Sequence, residues 1–207
     1  MSYKSEQRIG SHNSWSFKKV KQWYAKLLFW TAKCQKVNIF EQYSFGVRCF
    51  DLRLRYNHRK KIFETSHGLA TYVGGEDWKH DIKWLDKMAA YSMKQQNGAP
   101  VYCRVLLETK NFDEEEKTAF IDICKWLEEN YTHLMFFGGF PSRHWREYVY
   151  HFRTVEPTIE DKYSSVIPPK IRGLWPWLYA HTHNKENVEL PAQCQYLYID
   201  FLDNVLP

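Results

Sequence analysis

Residues 47–55 read VRCFDLRLR, and the fold of the chain turns on them. Phe50, Leu52 and Leu54 alternate with Asp51, Arg53 and Arg55, the period-two pattern of a strand with one apolar face. A surface strand of an antiparallel sheet alternates in the same way, but its charged face is solvated and further α/β units seldom follow it. Here they do follow, so the charged face is expected to point inward. Residues 101–108 (VYCRVLLE) and 195–201 (QYLYIDF) repeat the theme, each carrying a carboxylate toward the C-terminal end of an apolar run.

Helical periodicity fills the gaps. In residues 113–130, Asp113 stands as N-cap with Glu116 as its capping-box partner, and Phe120, Ile123, Cys124 and Leu127 form an apolar stripe. Residues 77–96 place Ile82, Leu85, Met88 and Ala89 at helical spacing, with Asn97 and Gly98 as a stop. A third helical region lies within residues 17–34, where Trp23, Leu27 and Trp30 read as core or interface in preference to a membrane-facing patch. Strands alternating with helices predict a parallel α/β sheet or barrel, with reactive groups at the carboxyl ends of strands.

Length and composition agree with one packed domain over residues 1–207: 44% hydrophobic, 26% charged and 17% aromatic residues, without a Pro/Gly/Ser-rich linker. The apolar runs are too short to span a bilayer, which needs about 20 residues. Residues 1–10 are polar, without the apolar centre of a secretory leader, so a cytoplasmic or peripheral-membrane protein is expected. Five scattered cysteines without a CxxC pair read as buried thiols. The net charge of +5 favours anionic partners only weakly, and with no RNP, zinc-finger or helix-turn-helix signature nucleic acid is not expected.

Three of the histidine neighbourhoods stand out: GSHNS at 10–14, TSHG at 65–68 and HTH at 181–183. His181 and His183 share a face of a predicted strand, but two ligands without a placed third do not make a metal site. His12 and His67 follow strand-like runs, and Asp51 and Arg53 lie on the strand between them. Together these supply a general base, a general acid and a cation for a phosphoryl group.

The order of these segments resembles phosphatidylinositol-specific phospholipase C, through IGSHNSWSF at 9–17, FEQYSFGVRCFDLRLR at 40–55, FETSHG at 63–68, VLLETKN at 105–111, EDKYSS at 160–165 and YLYIDFLDN at 196–204. The resemblance implies a compact TIM-type (β/α)8 barrel. Only 36 residues separate Tyr163 from Asp200, so the later strands are expected to be trimmed or irregular. It implies His12 as general base, Asp200 as the group that orients it, and His67 as general acid. Arg53 stands where bacterial members carry an arginine and eukaryotic ones an acidic calcium ligand, so no metal is expected. Asn13 and Glu108 match the calcium-binding pattern, which keeps calcium as the less favoured case. Because Asn13 replaces the bacterial aspartate that supports the acid histidine, Asp51 is the candidate for that task. Asp161 and Tyr163 are implied contacts for inositol, and Glu108 for a 2- or 3-hydroxyl, unless it forms a salt bridge with Lys110 or Arg53.

The implied reaction cleaves phosphatidylinositol, or a glycosylated form, by attack of the inositol 2-hydroxyl on phosphorus. The expected partners are a phosphoinositide lipid and a membrane surface, with the protein a monomer. A metal-dependent glycerophosphodiesterase or sphingomyelinase D on a related barrel is the enzyme alternative, but it needs an early HRG-type element and an acidic pair that this sequence lacks. An inactive barrel that binds anionic headgroups or a protein is the other.

Overall fold

The computed structural model describes residues 8–27, 33–94, 99–109, 111–141, 148–150, 159–162 and 196–201, with the isolated positions 152, 154, 157 and 180. In chain order the elements are β1 (Arg8–Ser11), α1 (Trp23–Leu27), α2 (Ile39–Ser44), β2 (Cys49–Asn57), β3 (Ile62–His67) and β4 (Ala70–Thr71). A single 3-10 turn, Gly75–Asp77, leads into α3 (Trp78–Met93). There follow β5 (Val101–Leu107), α4 (Glu114–Asn130), β6 (Leu134–Pro141), β7 (Tyr148–Tyr150), β8 (Ile159–Lys162) and β9 (Tyr196–Ile199).

The strands join one mixed sheet in the order β7-β6-β5-β2-β1-β9-β8, with β3 and β4 branching from β2. From β6 to β8 every neighbour along this path is parallel. This is the α/β architecture expected from the alternation. Two features depart from a regular (β/α)8 cylinder. First, β3 runs antiparallel to β2, with Leu54 opposite Thr65 and Asn57 opposite Ile62. Residues 58–61 are the cause, because a parallel return needs a crossover of a dozen or more residues. Second, the end strands β7 and β8 do not pair with each other among the described residues, so the path is open there.

Strand β2 is buried on both faces. Phe50, Leu52 and Leu54 pack with Ile39 and Tyr43 of α2, Trp78, Ile82, Leu85 and Ala89 of α3, and Phe120, Cys124 and Leu127 of α4. On the opposite face Cys49 joins Phe137, Tyr196 and Tyr198 at the N-terminal end of the strands. Asp51 and Arg53 continue that face toward the carboxyl ends, at 0% and 7% exposure. An apolar floor therefore lies beneath a charged upper layer. Gly10 is required by this floor, since a Cβ there would collide with the Tyr198 ring.

Local signals were partly met. Asp113 accepts from Glu116 N at 2.8 Å, but the reciprocal half of the box is absent and one Glu116 carboxylate oxygen faces exposed His58 at 3.7 Å. A complete capping box occurs instead at Asn38 and Glu41, opening α2. Among the described residues of 17–34 the one helix is α1, and Trp23 is 74% exposed, so the core expectation fails for it. Trp30 and the Leu27 side chain lie outside the described residues, as do the 97–98 stop, His181 and His183. Cys34, Cys49, Cys103 and Cys124 are buried free thiols, as expected; Cys194 is outside the described residues.

Candidate active site

The chain leaves β1 through a tight turn that delivers three residues to the charged layer. His12 N donates to Ile199 O at 3.1 Å, prolonging the β1–β9 ladder by one bond. Asn13 then takes a positive φ of 41°, a conformation that Asn tolerates better than most residues. Ser14 closes the turn against β2, donating through N to Asp51 O at 2.8 Å while its hydroxyl accepts from Asp51 N at 3.1 Å. The His12 ring is thereby held above the carboxyl end of the sheet, 4% exposed.

Each side of that ring meets a partner. His12 Nδ1 lies 2.6 Å from Asp200 Oδ1, just past the end of β9, and His12 Nε2 lies 3.0 Å from Arg53 Nη2. A guanidinium is always a donor, so Nε2 accepts and the proton resides on Nδ1, donated to Asp200. This tautomer turns the acceptor nitrogen of His12 toward the guanidinium. Gln35 supports the arrangement by donating to both His12 O and Ile199 O, at 3.0 and 2.9 Å.

Arg53 connects three groups. Its Nε donates to Asp51 Oδ2 at 3.0 Å, its Nη2 reaches the same oxygen and His12, and its Nη1 lies 3.4 Å from Glu108 Oε2. Asp51 also accepts from Asn13 N at 3.0 Å and from Arg104 Nε at 3.1 Å. Burial pushes the Asp51 carboxyl up, but Arg104 and Arg53 outweigh it and hold the group far below the usual carboxylate range. Glu108 behaves likewise: burial opposes ionisation, while Arg53, the charge of His67 and the Gly68 N–H at 2.8 Å keep it low. Arg55 ties Glu108 O to Gly68 O, pinning β5 to the turn after β3.

His67, the last residue of β3, stands beside that turn. Its ring faces His12 edge to face, centroids 5.7 Å apart and planes at 89°. The atom beside His67 Nδ1 is Cys34 Sγ, at 3.8 Å. Asp51, the candidate for tuning His67, directs its two oxygens to Arg53, Arg104 and Asn13. The arrangement thus gathers an imidazole, a fixed guanidinium and a second imidazole at the carboxyl ends of the strands. It can accept a proton, stabilise an anionic oxygen and donate a proton without moving the backbone.

His12, Arg53, His67, Asp51, Asp200, Asn13 and Glu108 all meet in this layer. Asp161 lies on β8 opposite Tyr198; its side chain, Tyr163 and Lys110 are outside the described residues. Cys34, Tyr72, Gln35 and Arg104 also belong to the site and were not anticipated. Tyr72 is fully buried and accepts from Asn13 Nδ2 at 3.4 Å; burial and Cys34 push its phenol well above the ordinary value. Arg104 was discoverable, since it alternates with Cys103 and Val105 and pairs in register with Asp51. Cys34 had no signal in the sequence.

The donor set suits calcium poorly. A hard cation asks for six to eight oxygen ligands, whereas here the Glu108 oxygens already accept from Arg53 and Gly68 and the guanidinium would repel the ion. Asn13 Oδ1, buried and without a hydrogen-bond partner among the described residues, is one oxygen that remains.

No protein-family model matches the chain, and no curated protein matches it. Among solved structures, a mutant phosphatidylinositol-specific phospholipase C from Staphylococcus aureus aligns over 97% of this chain and 88% of its own, at 16% identity and a TM-score of 0.50. The phosphatidylinositol-specific phospholipase C of Listeria monocytogenes aligns over 76% of this chain at 15% identity and a TM-score of 0.46. This chain spans 62% of the Listeria enzyme. At such identity the likeness to the staphylococcal enzyme shows a shared fold.

Proposed function

We propose that residues 1–207 form one catalytic domain that cleaves the phosphodiester of phosphatidylinositol, or of a glycosylated form, yielding a cyclic inositol phosphate and diacylglycerol. The observation that carries this reading is Arg53, bonded to His12 Nε2 at 3.0 Å, with the His67 ring facing His12 at a centroid distance of 5.7 Å. The substrate carries its own nucleophile, a hydroxyl adjacent to the phosphate. His12 takes its proton and Asp200 stabilises the imidazolium so formed. The hydroxyl oxygen attacks phosphorus, Arg53 shifts from His12 onto a non-bridging oxygen, and His67 protonates the departing diacylglycerol oxygen. A guanidinium already in place does the electrostatic work without a metal.

Asn13 Oδ1 and Glu108 face inositol hydroxyls in this reading, with Asp161 and Tyr163 as further headgroup contacts. Membrane access falls to an exposed apolar rim: Trp23 (74% exposed), Tyr24 (49%), Leu69 (74%) and Val73 (58%). Lys21 N donates to Thr71 O and the Gln22 amide bonds Thr71, so α1 lies beside the turn that follows His67 and bears Leu69. No helix among the described residues is long and apolar enough to cross a membrane, and the reading is of a peripheral, monomeric enzyme.

Incubation with phosphatidylinositol and with phosphatidylcholine vesicles, followed by phosphorus NMR in the presence of a calcium chelator, tests the proposal. Cyclic phosphate from the first substrate alone is expected. Equal cleavage of both, or of neither, would overturn it, and turnover of a soluble glycerophosphodiester only when divalent ions are present would favour the glycerophosphodiesterase reading.

A further inference from the structure

Cys34 has no part in the reaction above, yet its backbone is tied down beside it. Its N–H and that of Gln35 both donate to Ser16 Oγ, at 3.0 and 2.8 Å, and its carbonyl accepts from Phe201 N at 2.6 Å. The thiol, 0% exposed, is thereby fixed between the β1 turn and the end of β9. The Cys34 Sγ and one ring nitrogen each of His12 and His67 all lie within 4.8 Å of one another.

Two imidazoles and a thiol form the donor set of a borderline-soft cation, with nothing to recommend it to magnesium or calcium. Tetrahedral zinc, with bonds of about 2.0–2.1 Å to nitrogen and 2.3 Å to sulfur, sets its ligands about 3.5 Å apart. Cys34 and His67 already stand at 3.8 Å, so side-chain rotations of about 1 Å complete the geometry. The supporting shell is also in place. His12 Nδ1 donates to Asp200, the carboxylate–histidine arrangement that fixes zinc-ligating rings and leaves Nε2 for the metal. Arg53 opposes the ion, being bonded to that nitrogen. On its departure it keeps Asp51 and Glu108 as partners.

We propose that His12, Cys34 and His67 form a three-ligand site for Zn2+, and that its occupation silences the enzyme by taking both imidazoles. The ion replaces the thiol proton and the proton on the coordinating nitrogen of His67, both released to solvent, and leaves a zinc thiolate with a fourth coordination position open. Silencing rests on the function proposed above; binding does not. The other cluster, His58 with Asp113 and Glu116, offers mainly carboxylate oxygens at the surface and serves as a control.

The full chain is titrated with Co2+ and then Zn2+, alongside C34S, C34A, D200N and H58A. One equivalent of Co2+ gives a thiolate-to-cobalt charge-transfer band in the wild type, which Zn2+ abolishes. C34S and C34A lose the band and bind Zn2+ at least about tenfold more weakly in competition with a chromogenic chelator, D200N weakens binding about 10- to 100-fold, and H58A is unchanged. Thermal unfolding separates loss of the site from loss of fold: Zn2+ raises the Tm of the wild type and not that of C34A. A wild type without the thiolate band, or a C34A protein that binds Zn2+ as tightly, overturns the site. A protein that shows the band but turns over no inositol lipid overturns the function and leaves the site standing.

Discussion

Arg53 reaches out to two carboxylates and one imidazole, and this multiplicity sets what single substitutions do. Truncating His12 or His67 to Ala removes one proton-transfer group while Arg53 keeps Asp51 and Glu108, so each lowers kcat by about 10²- to 10⁴-fold with a native circular-dichroism spectrum. Arg53→Lys keeps the charge but loses the fork that serves Asp51, His12 and Glu108 together; a loss of about 10²- to 10³-fold is expected from steady-state assay. Asp51 is different, because its work is structural. Asp51→Asn leaves Arg53 and Arg104 buried without their shared counter-charge and costs about 3–5 kcal/mol in urea unfolding. Its sign with pH follows from the depressed native value. The stabilisation is complete above the ordinary carboxylate range and disappears as pH falls below about 4, where the unfolded chain takes up the proton first. The stability gap between wild type and variant should therefore narrow from pH 5 to pH 3, and a constant gap would contradict the ion-pair account.

At the scale of elements, β1 and the rim make opposite demands. Gly10→Ala on β1 drives a methyl group into the Tyr198 ring, which lies against Arg104 with the guanidinium 4.4 Å from the ring centre. About 1–3 kcal/mol of stability is lost by overpacking, measured as a lower urea midpoint. Trp23→Ser with Leu69→Ser touches only exposed side chains, so stability stays within about 0.5 kcal/mol. Binding to anionic vesicles, measured by co-sedimentation, is expected to fall sharply while turnover of a soluble inositol phosphodiester is retained. A double variant that binds vesicles like the wild type would exclude this rim as the docking face. Element by element, β2 was legible because its alternation is strict and its charged residues are too many for a floor and too regular for a loop. The β2–β3 hairpin was missed through attention to the α/β rhythm, although four residues at 58–61 leave no room for a crossover. The exposure of Trp23 was not legible, since it follows helical spacing whether it meets core or solvent.

For the whole molecule, the candidate site assembles only because β1, β2, β3, β5 and the end of β9 converge at one level. His12 and Asp200 are 188 residues apart in sequence and 2.6 Å apart in space. Neither residue's role follows from its own neighbours in the chain, and the resemblance to a lipase supplied the pairing that periodicity did not. Cys34 shows the limit of that route: a thiol from the segment between α1 and α2 enters the site through tertiary packing, and no local pattern or family motif announces it. What distinguishes the account from a water-activating or metal-dependent diesterase is the source of the nucleophile. The direct measurement is turnover of phosphatidylinositol against its 2-deoxy-inositol analogue, followed by phosphorus NMR with divalent ions chelated. The account predicts cyclic inositol phosphate from the first and no cleavage of the second; release of an open-chain phosphate from both at similar rates would contradict it.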